Sequence, residues 1–196
     1  MTDLRVISGR SVVPRLTALV LAAAVVGVGF QVLKGDGTDA LRYVLGNLAA
    51  PWLVVPFVGG RAVRSPARGA LVGAVLAVVS LVAFYAALEV RTHSLSVHVA
   101  ANYLLFCTTG AVAGAVVGCI ASLSRRSDLW WLTLCLPTLF VLEPVAAFGV
   151  AFSGGRTPTN DVVWAVELAL GIIGVAFICR RRSRNARSPS SALPLS

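Results

Sequence analysis

The chain has 196 residues and a formal net charge of +9, with 57% hydrophobic and only 13% charged residues; a soluble domain carries roughly 25% charged residues. With a mean hydropathy of +0.85, this composition excludes a soluble globular domain. The short polar breaks between apolar runs leave no room for a separate ATPase module. The expectation is one all-α, polytopic domain embedded in the lipid bilayer.

Residues 1–13 form a basic N-terminal segment. Arg5, Arg10 and Arg15 ahead of the apolar run 14–33 imitate a signal peptide, but the run is long enough to cross a hydrocarbon core of roughly 30 Å and no small-x-small cleavage site follows. It is read as a mature helix. Five further runs follow at 40–60, 69–89, 99–121, 129–152 and 161–179. Rich in Val, Ala and Leu without period-two alternation, they suit helices and not barrel strands. Residues 180–196, RRRSRNARSPSSALPLS, read as a basic, disordered tail.

Charge orients the bundle. With the N-terminus inside, the cytoplasmic segments hold 13 of the 17 basic residues, including Arg61, Arg64, Arg68, Arg125, Arg126 and the Arg180–Arg187 cluster. The opposite side has Lys34, Arg42, Arg91 and Arg156, balanced by Asp36, Asp39, Glu89 and Asp161. Both termini are therefore expected in the cytoplasm. The positive charge is explained by topology, and no nucleic-acid partner is needed.

Small residues mark close helix approach. Gly110, Gly114 and Gly118 recur every four residues in the fourth run, Gly69 and Gly73 in the third, and Ala18, Ala22 and Ala23, Gly27 in the first. Such stripes pack helices in membranes, within one chain or against a partner subunit. Prolines interrupt the second and fifth runs, at Pro51 and Pro56 and at Pro137 and Pro144. Each frees the carbonyl four residues earlier, at Asn47, Trp52, Thr133 and Phe140. Interrupted spans at matching places in two halves point to transporter binding sites.

Glu143 and Glu167 are the carboxylates well inside runs. At 1.5 Å per residue they lie roughly 13 and 9 Å below the outer ends, with Asn47 about 10 Å deep. A charge at mid-membrane costs about 2.5 to 3.5 kcal/mol on insertion scales, and protonating Glu at neutral pH costs about 3.7 kcal/mol. The local partner decides between them. If the glutamates converge, repulsion favours one proton held between them, with Arg42 as the nearest balancing cation. A proton relay, a cation site and a pocket for a polar solute all fit.

Catalytic and metal chemistry find little support. His93 and His98 lie in the loop between the third and fourth runs, so no membrane-level Ser–His pair forms. H-E-x-x-H and phosphate-loop motifs are absent. Cys107, Cys119, Cys135 and Cys179 lack metal-ligand spacing and read as packing residues. No cofactor or metal is expected, and the chain is not read as an enzyme.

The stretch YVLGNLAAPWLVVPFVGGRAVRSPARGALVGAVLAVVSLVAFYAALE, residues 43–89, resembles a family of unknown function made of small six-span membrane proteins from high-GC Gram-positive bacteria. Asn47, Pro51, Trp52, the basic turn Arg61–Arg68, Gly69, Gly73, Phe84 and Tyr85 carry the likeness, and GAVAGAVVG and LEPVAAFG extend it over residues 14–179. The resemblance implies a bacterial inner-membrane location and no particular activity. The architecture is also similar to the membrane-embedded substrate-binding subunits of energy-coupling-factor vitamin transporters, in helix count and small-residue stripes. The leading expectation is a protein that binds or moves a small polar solute or ion through a cavity in its outer half, using Glu143, Glu167, Asn47 and Arg42. The alternative is a non-transporting partner subunit docking through Gly110, Gly114, Gly118, Ala18 and Ala22.

Overall fold

Backbone groups in hydrocarbon find partners only within their own helix or a closed barrel, and every long apolar run here becomes a helix. The computed structural model describes residues 12–35, 39–93, 96–126, 128–151 and 158–187. In chain order the helices are α1 (Val12–Lys34), α2 (Ala40–Asn47), α3 (Val54–Ala62), α4 (Pro66–Thr92), α5 (Val97–Leu123), α6 (Cys135–Ala151) and α7 (Pro158–Arg187). Short 3-10 turns at Ala50–Leu53 and Trp130–Leu134 lead into α3 and α6. Arg5, Arg10, Asp36, Arg156, the side chain of His98 and the tail beyond Arg187 lie outside the described residues.

Six stretches are long and apolar enough to cross a membrane: Pro14–Lys34, Ala40–Ala62, Pro66–Thr92, Val99–Leu123, Trp130–Ala147 and Pro158–Arg184. They coincide with the six expected runs to within a few residues. The tail differs. Where disorder is expected from residue 180, α7 continues to Arg187, because arginine is a good helix former and positive charge is favourable at a helix C-terminus.

The prolines also act differently from the kinks expected of them. Pro51 stands in the 3-10 turn, Pro56 in the first turn of α3 and Pro137 in the first turn of α6; at these positions a missing N–H costs little, since first-turn donors have no intrahelical partner. Only Pro144 lies in a helix interior among the described residues. The second span is therefore broken and restarted. Its α2 ends at Asn47, and Leu48 takes an extended conformation with ψ 129°.

Packing follows the small residues. A Cβ on Gly73 would collide with the Gly114 carbonyl, one on Gly118 with that of Gly69, and one on Gly60 with Gly118. The backbones of α4 and α5 thus touch, and α3 lies in the groove they form. On α1, Gly27 sits against the Ser80 carbonyl of α4 and Ala23 is fully buried, while Ala18 and Ala22 face outward. At the arginine-rich end, Arg61 donates to Ser124 Oγ at 2.9 Å and Arg125 to the Arg61 carbonyl at 2.8 Å. This clasp fixes the end of α3 against the end of α5. The α6–α7 hairpin meets the rest of the chain at α2, at the Ala50–Leu53 turn and along α5.

Gly114→Leu is expected to destabilise the bundle by about 1 to 3 kcal/mol, the usual cost of overpacking. Val116→Leu on the outward face of α5, where Val116 is 54% exposed, is the control and should be near neutral. Thermal unfolding in detergent compares the two.

A broken span between a carboxyl pair and a cavity

The break in the second span creates an electrostatic need. The N–H groups that open a helix have no acceptor within it and carry partial positive charge, and in hydrocarbon an acceptor must come from elsewhere. Glu143, on α6, supplies it. Its Oε1 accepts the Ala49 N–H and its Oε2 the Ala50 N–H, both at 2.6 Å. One carboxylate from a different span thereby caps the restart of the second.

Glu167 reaches the same place from α7. Gly171 and Gly174, one and two turns beyond it, let α6 approach so closely that a Cβ on Gly171 would press on Val141 and the Pro137 carbonyl. Glu167 is 2% exposed. No N–H or O–H among the described residues donates to either of its oxygens, and its side chain lies beside that of Glu143. Two carboxyl groups can form a hydrogen bond only if one carries a proton. Both oxygens of Glu143 already accept backbone N–H groups, so Glu167 is the member of the pair with no donor of its own among the described residues.

The other expected site residues go elsewhere. Asn47 donates through Nδ2 to the Tyr43 carbonyl at 2.6 Å and accepts from Lys34 Nζ at 3.1 Å. Arg42, expected as the balancing cation, instead reaches the C-terminus of α1. Its Nε and Nη2 donate to the carbonyls of Leu33 and Val32 at 3.2 and 2.8 Å. Free carbonyls and the negative helix end attract the guanidinium there, and Gly35, at φ 64°, completes the stop. The glycine stripe of α5 is filled by α3 and α4 of the same chain.

On the opposite face of the break lies a cavity of about 710 Å³, bounded by α1, the second span, α4 and α5. Asn47, Ala49, Trp52 and Leu53 are its wall on the second span; Lys34, Tyr85, Asn102, Tyr103 and Thr109 bring polar groups to it. A chain of rings borders it. Trp52 stacks on Phe30 at 4.9 Å and meets Phe84 edge-on at 5.3 Å, Phe84 meets Tyr85 at 5.3 Å, and Tyr85 stacks on Tyr103 at 4.0 Å. Gln31, three residues before Lys34, is 2% exposed, and both its amide atoms lack a hydrogen-bond partner among the described residues.

Lys34 escapes the sequence reading because it ends an apolar run and counts as one loop charge among several. A signal was available: it is the only lysine among 17 basic residues. Tyr85 enters the sequence reading only through the family likeness, since no spacing within one helix shows that its ring stacks on Tyr103 of another. No group of three metal-binding side chains occurs among the described residues.

Residues 6–195 match the family of unknown function DUF6518, and the chain belongs to that family. No curated protein and no solved structure matches it significantly, so the comparisons yield a family without an activity.

Removing the cap should be costly. Glu143→Ala leaves two N–H groups without their acceptor and is expected to lower stability by about 3 to 6 kcal/mol, taking 1.5 to 3 kcal/mol for each hydrogen bond to a charged group. Glu167→Gln, whose amide can donate to the neighbouring Glu143, should unfold within about 1 kcal/mol of the parent. Thermal melts in one detergent give both values.

Proposed function

We propose that this member of the DUF6518 family binds and moves a small polar solute through the cavity beside its broken second span, with the Glu143–Glu167 pair as the proton-bearing latch of that span. The observation that carries the reading is the shared wall. The segment from Asn47 to Leu53 faces the cavity on one side, and the N–H groups of Ala49 and Ala50 are held by Glu143 on the other. Interrupted spans that place backbone polar groups beside a midplane site are a recurring device of transporters.

The chemistry of the latch follows from its parts. With its hydrogen in place, the pair keeps Glu143 on the break. Loss of that hydrogen leaves two adjacent carboxylates, and like charges in a site of low dielectric repel strongly. Withdrawing Glu143 from Ala49 and Ala50 relieves the repulsion and frees the break to move. The arginine distribution supports a cavity in the outer half of a cell membrane, with both termini in the cytoplasm. The proposed role is binding or transport, not catalysis.

Glu167→Gln tests the latch because its amide hydrogen cannot be lost. Detergent-purified protein is equilibrated across a pH series and co-purified small molecules are counted by native mass spectrometry. The parent is expected to release its solute as pH rises, when the pair loses its hydrogen, while the variant retains it. A variant with the parent's pH profile, or a parent that carries no small molecule at any pH, would overturn the reading.

A further inference from the structure

The cavity wall contains one charged side chain among the described residues, Lys34. Its ammonium has three N–H donors. Asn47 Oδ1 takes one at 3.1 Å, and the ring faces of Tyr43 and Phe84 lie at 5.2 and 5.7 Å from Nζ. Among the described residues these contacts soften the charge without neutralising it. The carboxyl groups of Glu143 and Glu167 lie beside one another, with Glu143 on the Ala49 and Ala50 N–H groups at the far side of the break, and among the described residues no carboxylate stands on the cavity wall.

We infer that the cavity is a site for a small, singly charged organic anion, its acidic head on Lys34 and its flat or apolar body against Trp52, Phe84, Tyr85 and Tyr103. The inference rests on the solute-binding reading above and names the class of solute. A cationic ligand would meet the repulsion of Lys34. A neutral one would leave the ammonium uncompensated in a membrane cavity, which is costly. The volume of about 710 Å³ falls within the roughly 300 to 1,000 Å³ of small-molecule sites, which are mostly apolar with a few placed polar groups.

The lining of the cavity agrees with a flat body. Trp52, Phe84, Tyr85 and Tyr103 all line it, so aromatic surface is available to a ring. Asn102 and Thr109 stand on the α5 side of the cavity. Lysine presents a compact point charge, whereas arginine presents a planar fork suited to two-point recognition; a single carboxylate fits the former. A monoanionic head on an apolar body describes an aromatic carboxylate and also an anionic phospholipid, and the two sources are separable.

Purified protein in nanodiscs of phosphatidylcholine is titrated calorimetrically with benzoate, indole-3-carboxylate, benzyl alcohol and benzylamine, and phosphatidylglycerol is added to a parallel set. Indole-3-carboxylate or benzoate is expected to bind at least about tenfold more tightly than the alcohol or the amine, with Lys34→Met losing at least about tenfold and Lys34→Arg retaining most of the affinity. Binding of phosphatidylglycerol alone, with the same dependence on Lys34, supports the anion site with lipid as its source. Equal binding of benzyl alcohol or benzylamine, or unchanged anion binding by a folded Lys34→Met, overturns the anion assignment and leaves solute binding standing. Absence of binding by every probe, together with no co-purified small molecule, overturns both.

Discussion

The structure depends on one interaction: a carboxylate on α6 that accepts the first two N–H groups of a helix restarted inside the membrane. Without an acceptor those donors would be stranded in a medium that offers no water, at a cost of several kcal/mol. A continuous second span would avoid the problem and would also remove the site. The break turns Asn47 toward Lys34, places Ala49 and Trp52 on a cavity wall and gives Glu143 a reason to be deep in α6. The buried charge and the broken helix each compensate the other.

Close backbone packing makes that compensation positional. The glycines of α4 and α5 bring two spans into backbone contact, with α3 seated in their groove and the Arg61–Ser124–Arg125 clasp at one end. This leaves α3 little freedom, so the proposed movement at the Leu48–Ala49 break falls on α2 and on the α6–α7 hairpin that holds it. Gly171 and Gly174 play the corresponding part for the hairpin, bringing Glu167 against Glu143. The packing is tight where the fold is held and interrupted where the cavity opens.

Much of the carboxyl pair was legible. Depth counting from the charge pattern placed Glu143 and Glu167 in one layer, and they meet. Asn47 lies at a similar level but turns the opposite way, because helical rise measures depth and says nothing of azimuth once a helix is broken. Arg42 was assigned to the glutamates by proximity in depth; the carbonyls at the end of α1 were nearer and electrostatically as attractive. Pro51, Pro56 and Pro137 were legible as interruptions but not as first-turn residues, since a proline in an apolar run looks the same in a kink and in a restart.

By itself the sequence determined six membrane helices, their polarity pattern and the residues able to pack backbone to backbone, because length, hydropathy and four-residue spacing are local properties of the chain. Only tertiary structure decided that Glu143 caps a helix 94 and 93 residues away, that Glu167 sits beside it without another donor, and that a single lysine ends in a ring-lined cavity. Each of these is a meeting of groups from different spans. Such meetings follow from how helices rotate and lean against one another, which no periodicity within one helix records.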